Sequence, residues 1–216
     1  DLLLLGAIDQ RTGENEKGGC YDKLRKIAKD LYPNSKEKYH WSAQDCMTID
    51  KIPYIGKYSE QTPNVYVATG FNKWGMTSSM VSAMIISDMI LDKENDFSEI
   101  FSPKRFDLSL SIGNIANDMI ETAKNFIAQK IYIPSSKIEH IKNGHAGIVE
   151  YNDEKIGVYK NNDGKEFIVS TKCPHLGCQL GWNADELTWD CPCHGSRFDY
   201  KGRLIGSPAT KDLIDN

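Results

Sequence analysis

Two short loops decide how this chain reads: Cys173-Pro174-His175-Leu176-Gly177-Cys178 and Cys191-Pro192-Cys193-His194-Gly195-Ser196. They hold four of the 6 cysteines and two of the 5 histidines in a chain of 216 residues. Cysteines crowded in this way and interleaved with histidines point to a metal site rather than to scattered disulfide staples. Cys173, His175, Cys191 and His194 supply two thiolates and two imidazoles. Zinc accepts such ligands, but zinc fingers pair Cys with Cys and His with His along the chain. Here each loop gives one of each. That pattern suits a two-iron cluster with Cys on one iron and His on the other.

On these residues, the region from about Ile138 to Leu213 resembles the Rieske subunits of cytochrome bc-type complexes, not the Rieske domains of ring-hydroxylating oxygenases. The resemblance implies a [2Fe–2S] cluster, ligated by Cys173, His175, Cys191 and His194, and a role in electron transfer. It also implies a disulfide between Cys178 and Cys193 that ties the two loops together. Gly206-Ser207-Pro208-Ala209 resembles the proline loop that shields the cluster's third side, and Ser196 matches a residue that hydrogen-bonds the cluster. One position departs from the pattern. Phe198 stands where the family has a Tyr whose hydroxyl bonds a ligand sulfur. His140 and His145 have the spacing of a mononuclear iron site, but they precede the cluster and lack a carboxylate context, so they read as surface histidines.

The upstream half reads differently. Asn64-Val65-Tyr66-Val67-Ala68-Thr69 predicts a strand, Gly70 to Gly75 a turn, and Thr77 to Leu91 a helix. A helix opening at Thr77 presents backbone N–H groups that favour negative charge. Together with the stretch from Trp41 to Gly56, these elements resemble the C-terminal end of FAD-dependent oxidases of the D-amino-acid oxidase type, over about Leu2 to Phe106. The resemblance implies that Gly70, Gly75, Met76 and Thr77 contribute to flavin binding, with Gly75 to Thr77 capping the flavin's N1/C2=O edge. The family's G-x-G-x-x-G fingerprint is absent, which implies FAD only in a longer native chain. Asp45 stands where many members carry a carboxylate-clamping Arg, so a cationic substrate such as an amine fits better than an amino acid.

Composition adds bounds. A hydrophobic fraction of 40%, a charged fraction of 26% and a net charge of −4 describe a globular protein without a basic, nucleic-acid-binding face. The apolar stretch from Met76 to Leu91 is broken by Ser78, Ser79, Ser82, Ser87 and Asp88, so no membrane span is expected. A cytoplasmic location is expected. Asp1 to Leu5 carries no basic segment or cleavage site of a signal peptide and reads as a buried strand; Leu2 to Ile8 is a short apolar run, and the missing initiator Met suggests a piece of something longer. Leu24, Ile27, Ala28 and Leu31 predict a helix stopped at Pro33, and Asn114 to Lys130 a second one. Asn152-Asp153 and Asn162-Asp163-Gly164 punctuate three short strands, at Gly147 to Tyr151, Lys155 to Tyr159 and Phe167 to Ser170. Cys20 and Cys46 read as free thiols, and His40 beside Trp41 as structural.

The expected architecture is an α+β N-terminal part followed by an all-β iron–sulfur domain. Residues 1–106 are the C-terminal portion of the flavoenzyme-like domain, 107–135 a helical linker, and 136–216 the Rieske domain. The expected partners are a flavin domain as electron donor and an acceptor the sequence does not identify. A stand-alone electron carrier or docking module is the alternative.

Overall fold

The computed structural model describes residues 2–48, 50–105 and 138–213. The predicted helix from Asn114 to Lys130, the boundary at Ile133 to Ser136 and the 107–135 linker lie outside the described residues. Packing divides the chain into two compact units, one grouping residues 1–42 with 124–216 and the other spanning 43–123. In this packing, residues Asn15 to Tyr21 contact the C-terminal region at Asn183 to Glu186.

In the first unit, α1 spans Cys20–Leu31, as the apolar spacing predicts. Leu2, Leu3 and Leu4 do not form the expected buried strand. They have no strand partner among the described residues and are 85%, 58% and 77% exposed. A strand needs a neighbouring ladder for its N–H and C=O groups, and this run finds none here. The C-terminal part is antiparallel throughout. β3 (His145–Tyr151), β4 (Glu154–Lys160) and β5 (Glu166–Ser170) form one sheet in the order β3-β4-β5. β6 (Gly181–Asn183), β7 (Thr188–Asp190), β8 (Arg197–Asp199) and β9 (Leu204–Gly206) form a second in chain order.

The turns set the registers. Tyr151 pairs with Glu154, leaving Asn152 and Asp153 as a two-residue loop with φ of 51° and 61°. That is the mirror-image turn whose twist matches a right-handed hairpin, and Asn and Asp tolerate it. At the next loop, the Asn161 side chain accepts from the N–H groups of Asp163 and Lys165, at 3.1 and 2.8 Å. The core is filled by Tyr159, Val169, Leu180, Trp182, Trp189 and Phe198, all buried. Trp189 and Phe198 face each other across β7 and β8.

In the second unit, β1 (Tyr54–Ser59) and β2 (Thr62–Thr69) form a hairpin, with Ile55 opposite Ala68. α2 (Gly75–Ile90) follows the Gly70 turn, and α3 (Ser98–Phe101) closes the unit. Ser78, Ser82 and Ile85 make the buried face of α2, and the Ser82 hydroxyl donates back to the Ser78 carbonyl at 2.7 Å. Its opposite face exposes Met76, Met80 and Met84, at 86%, 67% and 59%, an i, i+4, i+8 apolar stripe.

Arg105 ties this unit together. Its guanidinium donates to Asp50 at 2.9 and 3.1 Å and to the carbonyls of Pro53 and Phe101 at 2.9 and 3.0 Å. It also lies 4.2 Å from the centre of the Tyr54 ring. Burial pushes the Asp50 carboxyl up, but the Arg105 hydrogen bonds and charge outweigh this and hold it below the usual carboxylate value. A depressed folded value contributes stability above the unfolded pKa, and that stability is lost as pH falls through the folded value. Asp50→Asn is therefore expected to destabilise the chain by roughly 1 kcal/mol at neutral pH. Urea unfolding followed by circular dichroism should show the difference from wild type shrinking below about pH 4.

Candidate metal centre

The two cysteine–histidine loops have matching backbones. The Cys173 N–H donates to the Cys178 carbonyl at 2.8 Å, and the Cys191 N–H donates to the Ser196 carbonyl at 2.7 Å. Each loop is pinned again one residue earlier, by Gly177 N–H to the Cys173 carbonyl and Gly195 N–H to the Cys191 carbonyl, at 2.8 and 3.0 Å. Closing such tight loops requires a left-handed residue at the fifth position. Gly177 and Gly195 occupy it, with φ of +75° and +81°.

The loops are also joined covalently. Cys178 and Cys193 form the disulfide implied by the resemblance, with their Cα atoms 6.6 Å apart. The Cys191 sulfur lies within 4.8 Å of both disulfide sulfurs, but a disulfide sulfur is no thiolate ligand. The donors left are Cys173 and Cys191, both free and both buried. Burial, together with the neighbouring Cys173 thiol, pushes the Cys191 thiol up from its ordinary value. A buried thiol raised in this way resists ionisation until a cation joins it.

The histidines sit on the outside. His175 and His194 are exposed, and their rings meet edge to face with centroids 4.9 Å apart. The two loops thus offer buried sulfur donors and a pair of exposed imidazoles in ring contact. This donor set fits a two-iron cluster whose inner iron is held by thiolates and whose outer iron is held by solvent-facing imidazoles.

Ser196 is fully buried, and its hydroxyl oxygen accepts from the Ala209 N–H at 2.9 Å. That leaves its hydrogen available to a cluster sulfur, and it draws the Gly206-to-Ala209 loop against the Cys191 loop. Phe198, also fully buried, offers no donor. Asp190, which precedes Cys191, is buried. It accepts from Asn183 and Thr188 at 2.9 and 2.8 Å and pairs with Arg197 at 3.1 Å. The sequence reading missed this network, and only the polar run through Thr188, Asp190 and Arg197 hinted at it.

The remaining candidates belong to other elements of the chain. Gly75, Met76 and Thr77 form the exposed first turn of α2, where Trp74 makes no side-chain cap. Gly70 sits in the preceding turn, where Asn72 donates to its carbonyl at 2.8 Å and accepts from the Thr48 N–H at 2.9 Å. His140 and His145 are exposed. His40 stacks edge-on against Tyr21 at 4.5 Å and pairs with Glu37. Cys20 and Cys46 are free thiols.

Comparison with known families agrees with both halves of this picture. Residues 132–215 match the Rieske [2Fe-2S] domain, and residues 3–89 match the FAD dependent oxidoreductase family. A protein of Bacillus subtilis (strain 168), YhfW, provisionally named a Rieske 2Fe-2S iron-sulfur protein, is 41% identical over 98% of this chain and 42% of its own length. The cytochrome b6-f complex iron-sulfur subunit of Synechococcus elongatus is 30% identical over 46% of this chain and 50% of that protein. A crystal structure of the plasma membrane Rieske protein PetC3 from Synechocystis PCC 6803 is 32% identical, covering 32% of this chain and 70% of that one with a TM-score of 0.30. The chain spans half or less of the length of these two curated relatives.

The Cys178–Cys193 bond closes a 15-residue separation, worth about 3 kcal/mol by loop closure. The double variant Cys178→Ser, Cys193→Ser is expected to lose its metal at markedly lower urea concentration than the parent. Mass spectrometry without reductant should find the two cysteines in one linked peptide pair in the parent.

Proposed function

With residues 132–215 a Rieske domain and residues 3–89 part of an FAD-dependent oxidoreductase domain, we propose that this chain is the electron-exporting end of a flavin-linked oxidoreductase. Cys173 and Cys191 hold the inner iron of its [2Fe–2S] cluster, and His175 and His194 hold the outer one. When bound, the flavin takes two electrons as hydride and the cluster passes them on singly. The observation that carries the reading is the donor set on the two disulfide-joined loops: two buried, neighbouring thiols and two exposed imidazoles in ring contact. Electrons leave where the histidines meet solvent, and an acceptor of unassigned identity docks there.

The flavin half supports the same reading. The exposed Met76, Met80 and Met84 stripe on α2 is what a helix looks like when part of its domain lies elsewhere in a longer polypeptide. Gly70, Gly75, Met76 and Thr77 would then cap the flavin, with the N-terminus of α2 favouring the negative charge of its reduced form. Asp45 suits a cationic, amine-like substrate. A cytoplasmic location is part of this proposal; separately, no described helix is long and apolar enough to cross a membrane.

Hydrogen bonds donated to cluster sulfur favour the reduced state and raise its potential. Ser196 keeps one such donor and Phe198 lacks the other. Ser196→Ala is expected to lower the potential and Phe198→Tyr to raise it, each by some tens of millivolts. Each bond is worth roughly 1.5–3 kcal/mol, of which only part distinguishes the redox states. Protein-film voltammetry reads both, and no rise with Tyr at position 198 would remove the hydroxyl argument. For the flavin half, the 216-residue chain is expected to purify without flavin. A longer native chain should carry FAD and reduce its cluster when an amine substrate is added. Stoichiometric FAD on the short chain would contradict this assignment.

A further inference from the structure

Residues 13–21 belong to the segment matched to the flavoenzyme family, yet they pack against the metal loop. Gly13 lies at φ +84°, and a Cβ built there would fall 3.1 Å from two carbons of Pro192 and 3.2 Å from the Asp190 carbonyl oxygen. Pro192 stands between Cys191 and Cys193, so Gly13 abuts the ligand loop closely enough that a side chain there would press on it. The approach is close from the other side too, because a Cβ on Gly181 would collide with the Gly13 carbonyl.

A second route runs through hydrogen bonds. The Asn15 amide donates to Asn183 Oδ1 at 2.9 Å and to Asp185 Oδ2 at 3.0 Å, and its carbonyl accepts from the Ala184 N–H at 3.1 Å. Asn183 in turn donates to Asp190 at 2.9 Å. Asn15, Asn183 and Asp190 are all buried, so this chain of amides reaches the residue before Cys191 without passing through water. The segment is anchored beyond Asn15 as well. The Asp185 carboxylate accepts from the N–H groups of Gly19 and Cys20 at 2.8 and 2.9 Å, capping α1, and the Tyr21 hydroxyl donates to Glu186.

We propose that Gly13 and Asn15 are positioning residues for the iron–sulfur cluster: the strap they form braces the Cys191-to-Ser196 loop from behind, by contact at Pro192 and by the Asn15–Asn183–Asp190 relay. The oxidoreductase-derived segment thereby sets the geometry of one half of the ligand set. The proposal rests on ligation by this loop and not on the flavin reading.

The test uses the full iron-loaded chain as wild type, Asn15→Ala, Gly13→Ala and Asp185→Asn, with the exposed Lys26→Ala as control. Iron and sulfide content, hydrogen exchange by mass spectrometry and the electron paramagnetic resonance spectrum of the reduced protein are recorded for each. Asn15→Ala is expected to keep its iron and to speed amide exchange in the peptide spanning Asp190 to Arg197 by up to about tenfold, the loss of one buried hydrogen-bonded link. Its resonance positions should shift, while exchange in the peptide spanning Cys173 to Cys178 stays unchanged. Gly13→Ala should act in the same direction, and Asp185→Asn, which keeps an acceptor for the α1 cap, more weakly. If Gly13→Ala fails to load iron, Asn15→Ala and Asp185→Asn decide. Faster exchange confined to residues 13–31, with the Asp190-to-Arg197 peptide and the resonance unchanged, would overturn the proposal and leave the strap a packing element only. Zinc in place of iron in the wild type would instead remove the cluster assignment itself.

Discussion

Two cysteine thiols have to be kept buried, side by side and unoxidised to each other. Nearly everything in the C-terminal unit answers to that constraint. Left free, adjacent cysteines in flexible loops would pair or ionise unfavourably. Here each sits at the start of a loop closed on itself by two backbone hydrogen bonds, and the loops are joined by a different pair, Cys178 and Cys193. The bridge that forms therefore spares the ligands. The two sheets supply the rigid ends from which the loops project, with Trp189 and Phe198 filling the space between neighbouring strands. The Ser196 oxygen holds the Ala209 loop, which leaves its hydroxyl hydrogen free to be donated.

The same constraint explains why buried charge is tolerated beside the metal loop. Asp190 would be costly in that position without partners. Asn183, Thr188 and Arg197 satisfy it, and Asn15 continues the network into the N-terminal segment. The polar network and the covalent bridge thus both hold the loop. The grouping of residues 1–42 with the C-terminal unit follows from this network rather than from any extended hydrophobic contact of α1, which buries none of its residues.

Much of this was legible in the sequence where local chemistry dictates local structure. The ligand loops, the Asn152-Asp153 hairpin, α1 and the strand–turn–helix at Gly70 each carry their signal within a dozen residues. Leu2 to Ile8 misled because an apolar run says only that a segment wants burial, and pairing depends on a neighbour that local sequence does not supply. Which face of α2 is buried does not follow from hydrophobicity either. Its serines face inward, where their small size permits close packing and Ser82 bonds its own helix, while its methionines face outward. The strap escaped notice for another reason. Thr12-Gly13-Glu14-Asn15 reads as an ordinary polar loop, and its partners Asn183 and Asp185 lie 168 and 170 residues away. No spacing rule connects them.

The central claim is that Cys173, His175, Cys191 and His194 bind a [2Fe–2S] cluster and not a single ion. Metal and acid-labile sulfide analysis of the anaerobically purified chain, alongside its visible and electron paramagnetic resonance spectra, tests this most directly. The account predicts a red-brown protein with about two iron atoms and two sulfides per chain, paramagnetic on one-electron reduction, with the signal lost in His175→Ala and in His194→Ala. A colourless protein with one zinc per chain and no sulfide would contradict it.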